Sequence, residues 1–303
     1  MGAPSTLEEI KPFLYRLFSD RDLINFGVPS FLQKPLAYLI ATFRAPKVKP
    51  QYEAIGGGSP LVRYSLEQGE LLSKALGMPV FVAMLYSEPL MERVSREILR
   101  KGFERVYHLT LYPQYSIATA GACLRDGRKY LGNRVELKEV KSWATNPKYI
   151  DWIRKGIRKE LEGSSPEDTV ILFSAHSLPK YIVEERGDRY PEEVKATVEA
   201  VMEEFKGYPY RISYQSKVGP IEWLEPSTEE ELRRIKEEGF KRVVVFPVSF
   251  VSEHIETLYE LDVEYGELAK ELGLDFKRVK LNHTDPLLIG ALKEEVEKLR
   301  GRR

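Results

Sequence analysis

Three glutamates follow an apolar run in this sequence at a regular spacing of four residues. The run VVVFPVSFV leads into SEHIETLYELDVEY, whose spaced acids are Glu256, Glu260 and Glu264 and whose histidine is His254. In a helix this spacing places the three carboxylates along one face, where like charges repel by roughly a few tenths of a kcal/mol per pair. The row is therefore either a solvated helix face or a functional row whose charge a cation compensates.

Histidines are few, and two of them follow predicted strands. The four are His108, His176, His254 and His283. His176 and His254 come at the carboxyl ends of predicted strands, where open α/β sheets place their ligands. The other two, inside a strand and in a loop, are interpreted as structural. Carboxylates with histidine suit a divalent metal such as Fe²⁺, and clustered carboxylates have raised pKa values that let them accept protons near neutrality.

Composition excludes several classes of protein. Of the 303 residues 43% are hydrophobic and 30% charged, which predicts a folded chain with a buried core. Lys+Arg and Asp+Glu both number 46, so the charge balance gives no support for nucleic acid as a partner. The single cysteine, Cys123, excludes an internal disulfide and any all-cysteine zinc or iron–sulfur site. Without a run of about 20 apolar residues, we expect no membrane span and a cytoplasmic protein.

Apolar runs alternate with amphipathic helical patterns along the whole chain, which predicts βαβ units and parallel sheets covered on both faces. The predicted strands are Val80–Leu85, Arg105–Leu111, Val135–Val140, Thr169–Ser174, Tyr210–Tyr214, Arg242–Phe250 and Phe276–Leu281. The predicted helices include Leu7–Phe18, Leu90–Arg100, Tyr149–Leu161, Glu192–Phe205 and Glu229–Glu238.

The two halves of the chain share a motif. Gly-Phe-x-Arg-Val begins at Gly102 and again at Gly239, each time between a predicted helix and a strand, with the glycine as the expected helix C-cap. We therefore predict two similar α/β domains, 1–150 and 151–303, with the boundary within Trp143–Asp168. The second half opens with the strand TVILFS, whereas no strand precedes MGAPST in the first. We accordingly expect the natural chain to start upstream, with one more apolar strand.

Two further segments allow alternative interpretations. The cluster Gly56-Gly57-Gly58 could bind an anion, but it lacks the lysine of a phosphate loop and any dinucleotide fingerprint, so a loop feeding a helix near Leu61 is at least as well supported. The apolar segment Phe31–Phe43 predicts buried core by its helical spacing. The alternative is an exposed lip for an apolar ligand or a membrane surface.

Motifs along nearly the whole chain resemble the ferrochelatase family, whose members insert Fe²⁺ into a porphyrin. They are SAHSLP, YQSKVGP with EW, HIETLYELD with EY, MGAP, YEAIGGGSPL and YPQYS. The resemblance implies two Rossmann-like, chelatase-type domains with an active-site cleft between them. It also implies that porphyrin and Fe²⁺ are substrates, with no permanently bound cofactor. The cysteine cluster of iron–sulfur-bearing members is missing, so no iron–sulfur cluster is expected.

The resemblance also assigns roles to the row of acids. It makes His176 the principal catalytic residue and places Glu256 opposite it, so that this pair accepts protons or holds the metal. Glu260 and Glu264 would then extend from the pair as a path for protons or metal ions, completing the predicted metal-binding set. A π-type turn would help to align the row.

Porphyrin contacts are implied by resemblance at further positions. They are Met1, Arg44, Tyr115, Ser116, Trp223 and His254. An apolar substrate favours the lip interpretation for Phe31–Ile40, with peripheral contact at the inner face of a membrane. One departure is Leu85, which stands before Tyr86 where the family often has arginine.

The resemblance leaves two alternatives to an enzyme that acts on protoporphyrin. The coproporphyrin branch tends to have tyrosine where Met1 stands, which favours protoporphyrin IX over coproporphyrin III. A non-catalytic tetrapyrrole or metal carrier on the same fold is the other alternative. Proton acceptors facing each other favour an enzyme, because a carrier has no need of them. The oligomeric state stays open.

Overall fold

The computed structural model describes residues 1–21, 23–24, 26–219 and 221–301, in which helices alternate with parallel strands as predicted. The strands are β1 Arg105–Leu109, β2 Glu136–Val140, β3 Thr169–His176, β4 Tyr210–Gln215, β5 Arg242–Pro247 and β6 Asp275–Arg278. The helices are α1 Ile10–Ser19, α2 Ser30–Ala54, α3 Leu61–Leu76, α4 Met91–Arg100, α5 Ala120–Leu131, α6 Pro147–Glu160, α7 Lys180–Glu184, α8 Tyr190–Met202, α9 Thr228–Glu237, α10 Gly266–Leu272 and α11 Pro286–Gly301. A π-helix, Glu256–Tyr265, runs directly into α10.

The larger sheet has four parallel strands in the order β4-β3-β5-β6. The central strand β3 is buried from Thr169 to Ala175, as expected for a mostly apolar run covered on both faces. Leu172 of β3 lies in a buried cluster with Leu232 of α9 and Leu261 of the π-helix. The π-helix is therefore anchored in the core of this sheet, beyond whose carboxyl edge a site is expected.

A separate two-stranded parallel sheet is formed by β1 and β2. The prediction of a strand at Val80–Leu85 is wrong. The backbone N–H groups of Leu85 and Tyr86 donate to the carbonyl of Met1 at 3.2 and 2.9 Å, and that of Met84 donates to Pro89 at 2.8 Å. Because these groups bond to the chain start and a nearby turn, the segment joins no ladder with β1.

Contacts divide the chain into two compact units. One contains Met1–Thr110, Ile117–Lys141 and the part of α11 from Leu292; the other contains Leu111–Ser116 and Ser142–Ala291. This division differs from the predicted limits of 1–150 and 151–303 at three segments, which are 111–116, 142–150 and the part of α11 from Leu292. Gln114 and Tyr149 belong to the second unit because both side chains donate to the carbonyl of Val248, at 3.3 and 2.9 Å.

Glycines end helices and fill a tight loop where the sequence predicted them. Gly102 and Gly239 follow α4 and α9 with φ of 75° and 90°, the left-handed conformation expected of helix C-caps. The glycine cluster is a loop that feeds α3, which begins at Leu61. A Cβ atom at Gly58 would lie 2.0 Å from the carbonyl oxygen of Ser5, so glycine is required there by close backbone approach.

Helix α2 exposes its large apolar side chains, so the prediction of buried core for Phe31–Phe43 is wrong, and the lip interpretation stays a prediction. The residues buried on α2 are Gln33, Ala37, Ala41 and Tyr52. Phe31 and Phe43 are 75% and 71% exposed. The other exposed apolar residues of this face are Leu32, Tyr38 and Leu39. No helix within the described residues is long and apolar enough to cross a bilayer.

Candidate active site

The site begins at the carboxyl ends of β3 and β4, where His176 and Gln215 are paired in register. The backbone N–H of His176 donates to the hydroxyl of Ser249, 3.2 Å away in the segment after β5. These three positions belong to three adjacent strands or the segments that follow them. The fold therefore fixes the base of the His176 side chain at the edge where parallel sheets carry their sites.

His176 and Glu256 are in direct contact. Nδ1 of His176 lies 2.8 Å from Oε2 of Glu256, and the two side chains are 31% and 27% exposed. The carboxylate accepts a hydrogen bond at Nδ1, which leaves Nε2 as the ring nitrogen that can accept a proton or bind a metal. Within the described part of the chain, no group hydrogen-bonds to Nε2 of His176.

Each member of this pair changes the acidity of the other. Burial alone would lower the pKa of His176, but the charge and hydrogen bond of Glu256 raise it above its ordinary value. Burial alone would raise the pKa of Glu256, but the charge of His176 and its hydrogen bond lower it to about 2. The carboxylate therefore stays ionised at neutral pH, and the imidazole is a stronger base than an isolated histidine.

The row of acids lies on a π-helix, as predicted from the resemblance. Its backbone forms wider turns than an α-helix does, with hydrogen bonds from residue i to i+5, an arrangement that occurs frequently at functional sites. Glu260 accepts hydrogen bonds from the backbone N–H of Ser216 at 2.6 Å, from Nε2 of Gln215 at 3.1 Å and from the hydroxyl of Tyr265 at 3.3 Å. Burial and the charge of Glu256 together raise the pKa of Glu260.

Ser216 bridges the first two acids of the row. Its hydroxyl lies 3.0 Å from Oε2 of Glu256 and also contacts Oε2 of Glu260. Its φ of 68° is in the left-handed region, which is uncommon for a residue other than glycine and occurs at functional sites. Because one hydroxyl carries one hydrogen, Ser216 can donate to only one of the two carboxylates at a time.

The four predicted metal ligands do not converge on one point. Glu256 contacts His176, whereas Glu264 lies two π-helical steps away and is exposed. Partial burial of its carboxyl group and the charge of Glu267 raise the pKa of Glu264. Among the described residues, no group of three or more His, Cys, Asp or Glu is arranged to hold a metal ion. The acids instead form a series that runs from a half-buried end to an exposed one.

His254 lies beside the pair, separated from His176 by an aromatic ring. The ring of Phe250 contacts that of His254 edge-on at 4.4 Å and that of His176 at 6.4 Å between centroids. Nδ1 of His254 is 3.2 Å from the carbonyl of Ser252, and Nε2 is 3.9 Å from Glu256. Burial lowers the pKa of His254 despite the charge of Glu256, so this histidine is the weaker base of the two.

Besides His254, three predicted porphyrin contacts lie in the same unit as His176. Tyr115 is half-buried. Trp223 is also half-buried, and its indole N–H has no partner among the described residues. Ser116 is fully buried and donates to Asp188 at 2.8 Å, which gives it a supporting place rather than a surface position. Pro220 of the VGPIEW motif lies outside the described residues.

Met1 and Arg44 lie in the other unit. Met1 packs in an apolar cluster with Leu85 and Tyr86. Arg44 is half-buried, with its guanidinium 5.9 Å from the centroid of the Phe18 ring. Leu85, at the position where the family often has arginine, is thus part of a buried apolar cluster.

Sequence reasoning missed Ser216, Gln215 and Phe250 as members of the site. Ser216 and Gln215 stand inside the motif YQSKVGP, directly at the end of a predicted strand, and that position was the available signal. Phe250 carried no such signal, because it reads as the last residue of an apolar strand.

Comparison with known proteins identifies the family of this chain. The family model for ferrochelatase matches residues 1–299. Among curated relatives, the ferrochelatase of Aquifex aeolicus is 43% identical over 98% of this chain and 96% of its own length. That of Gloeobacter violaceus is 41% identical over 98% of this chain and 94% of its own length.

A solved structure, SirB from Bacillus subtilis with Fe³⁺, shares the fold. It has a TM-score of 0.59 and 11% identity, with 79% of this chain and 89% of that chain covered. The fold is thus that of a chelatase. With a family model spanning nearly its whole length and relatives above 40% identity, this chain belongs to the ferrochelatase family, enzymes that insert a metal ion into a porphyrin.

Proposed function

We propose that this chain inserts Fe²⁺ into protoporphyrin IX as a lyase, forming protoheme and releasing two protons, and that His176 and Glu256 carry out the proton transfer. The observation that carries the proposal is the contact of 2.8 Å between His176 Nδ1 and Glu256 Oε2. It leaves Nε2 of the imidazole to accept a pyrrole proton, and the ionised carboxylate stabilises the imidazolium that results.

Two pyrrole protons must leave the site for each metal ion that enters. Ser216 links Glu256 to Glu260, and Glu264 lies further along the same π-helix at the surface. We assign this row to the traffic of protons outward or of Fe²⁺ inward. Carboxylate oxygens can bind Fe²⁺ transiently, and a series of separate acids suits passage better than storage.

The exposed apolar face of α2 supports an apolar porphyrin and contact with a membrane surface. Its aromatic residues Phe31, Tyr38 and Phe43 lie on the same helix as Lys34, which is also exposed. Apolar rings beside basic side chains suit the boundary between acyl chains and anionic headgroups. Protoporphyrin IX, with two carboxylates against four in coproporphyrin III, is the better match to this face. We therefore place the enzyme in the cytoplasm, peripheral at the inner face of the membrane.

The test is anaerobic metal insertion by the His176→Ala variant, followed through the absorbance of metalloporphyrin with Fe²⁺ or Zn²⁺. Loss of a general base costs about 100-fold or more, and we expect at least that loss with an unchanged fold by circular dichroism. His283→Ala, which alters a histidine interpreted as structural, is the matched control and should retain wild-type activity. A His176→Ala variant with more than about a tenth of the wild-type rate would refute the role.

The same assay separates the alternatives. Product beyond one equivalent per protein chain distinguishes an enzyme from a carrier. A higher kcat/KM for protoporphyrin IX than for coproporphyrin III is the expected result, and the reverse order would assign the chain to the coproporphyrin branch.

A further inference from the structure

An ion-pair network lies at the π-helix and is not used in the mechanism above. Arg278, the last residue of β6, has a side chain that is 3% exposed. Its guanidinium donates to both carboxylate oxygens of Asp262, with Nη2 to Oδ2 at 2.6 Å. Its Nη1 donates to Oε1 of Glu253 at 2.7 Å. One buried cation thus joins a strand, the π-helix and the segment that precedes it.

We propose that Arg278 is a positioning residue that sets the rotation of the π-helix and so aligns Glu256 and Glu260 for transfer of the metal. The inference rests on the function proposed above, because it assigns the row of acids to that reaction.

Asp262 lies on the π-helix two residues after Glu260. Residues two apart on a helix point to different sides, so Asp262 is held from a side other than the one that carries Glu260. A bidentate arginine–carboxylate pair fixes orientation as well as distance, since both groups are planar. Holding Asp262 in this way therefore limits rotation of the turn that carries Glu260.

Glu253 connects Arg278 to the start of the π-helix. It immediately precedes His254, and its Oε1 also accepts the backbone N–H of Leu281 at 2.8 Å. The N–H of His254 in turn donates to Thr257, the residue after Glu256 in the first turn of the π-helix. The guanidinium of Arg278 therefore fixes the start of the π-helix as well as its middle.

Stability alone is a weak reason for such a network. Burying a guanidinium between two carboxylates has a desolvation penalty that often cancels its attraction, so such groups contribute little net stability compared with apolar residues. The main effect of the network is therefore to hold the π-helix, which carries the acids, in a fixed orientation.

The experiment compares Arg278→Lys and Asp262→Asn with Arg242→Lys. Arg278→Lys keeps the charge and loses the fork, and Asp262→Asn keeps the shape while weakening the pair. Arg242 is the matched control, because its Nε donates to Asp275 at 2.7 Å and joins β5 to β6 at their amino ends, far along the strands from the acids. Thermal unfolding, kcat and the separate KM values for Zn²⁺ and porphyrin are measured for each.

We expect both Arg278→Lys and Asp262→Asn to lose about 10- to 100-fold in kcat/KM for the metal, the usual effect of removing a partner that orients metal-handling groups. KM for the porphyrin should change by less than about twofold, because uniform substrate binding is untouched. Arg242→Lys should lower the unfolding temperature and leave the kinetic constants unchanged.

Two outcomes would overturn the inference. One is a loss of thermal stability in Asp262→Asn with wild-type constants for both substrates; the other is an equal rise in KM for metal and porphyrin. Asp262→Asn decides the matter if Arg278→Lys does not fold. Failure of the proposed function itself is seen separately, as absence of turnover in the wild-type protein in the same assay.

Discussion

The basicity of His176 depends chiefly on the neighbouring carboxylate of Glu256. The imidazole is pulled in two directions, since burial favours its neutral form and the charge of Glu256 favours its protonated form. Burial is the largest single effect, but the charge and hydrogen bond of Glu256 and the charge of Glu260 together outweigh it, which raises the pKa of His176 and makes it a stronger base. Glu260 is the other acid that raises its pKa. The basicity that we propose His176 uses in catalysis therefore depends on its contact with Glu256, and it should change when Glu256 is replaced.

Glu256→Gln should reduce turnover and move the pH profile in a defined direction. Without the carboxylate charge, burial lowers the pKa of His176, so the imidazole stays unprotonated to a lower pH. The acidic limb of kcat/KM against pH should therefore shift downward, while the maximal rate falls by about 100-fold because the imidazolium loses its stabilising partner. A limb that stays at the wild-type pH would show that His176 is not the base that titrates.

At the scale of elements, the row of acids should show graded effects along the π-helix. Glu256→Gln should reduce kcat most and Glu260→Gln less, whereas Glu264→Gln should chiefly raise KM for the metal. The reason is that only Glu256 contacts His176 and the other two acids lie progressively further along the π-helix. We expect the loss at Glu260 to be about tenfold, in the range of an orienting group rather than a base. Glu267→Gln, an exposed acid on α10, is the control.

Steady-state kinetics with Zn²⁺ measures the gradient. Equal and negligible effects at Glu256 and Glu260 would return the row to a solvated helix face.

Helix α2 gives a second prediction at this scale. Replacing Phe31 and Phe43 by serine should weaken binding to vesicles that contain anionic lipid, since each buried aromatic ring contributes about 2 kcal/mol. Leu66→Ser on α3, which removes an apolar side chain that is 49% exposed, is the matched control. Co-sedimentation with vesicles is the measurement. Equal binding by wild-type protein and the double variant would exclude α2 as the contact.

The elements show how far sequence patterns reach. The strands β3 and β5 were predictable because apolar runs of this length must be covered on both faces of a sheet. Which face of α2 is buried was not predictable. Helical spacing shows which residues share a face, but it does not show which face another element covers. The strand prediction for Val80–Leu85 was wrong for a related reason. An extended apolar segment becomes a strand only when an adjacent strand pairs with its backbone groups.

At the site, motif positions predicted His176 and Glu256 as a facing pair, and the structure places them in direct contact. Ser216 stands at the end of a predicted strand, but its contacts could not be predicted from that position, because they depend on a left-handed backbone and on two acids that lie 40 and 44 residues later in the chain. Contacts of that kind are set by the packing of β4 against the π-helix, and no local pattern encodes them.

At the scale of the whole molecule, buried tyrosines should limit stability in alkali. Burial raises the pKa of several tyrosines because it disfavours the phenolate. They are Tyr86, Tyr149, Tyr190, Tyr214 and Tyr265. A raised pKa means that the folded protein holds the proton more tightly than the unfolded chain. The stability from this source is therefore complete below about pH 10, the unfolded value, and is lost as the pH rises through the folded values.

Tyr214 allows the alkaline prediction to be tested at one residue. Burial, with the charge of Glu192, raises the pKa of Tyr214 to about 12, so its contribution of about 2 kcal/mol should disappear between about pH 10 and pH 12. Tyr214→Phe has no proton to lose and should show a shallower decline in the free energy of unfolding by urea over this range. Tyr181→Phe, at a tyrosine that is 37% exposed, should decline as the wild type does. Parallel curves for wild type and Tyr214→Phe would mean that other groups cause the alkaline loss of stability.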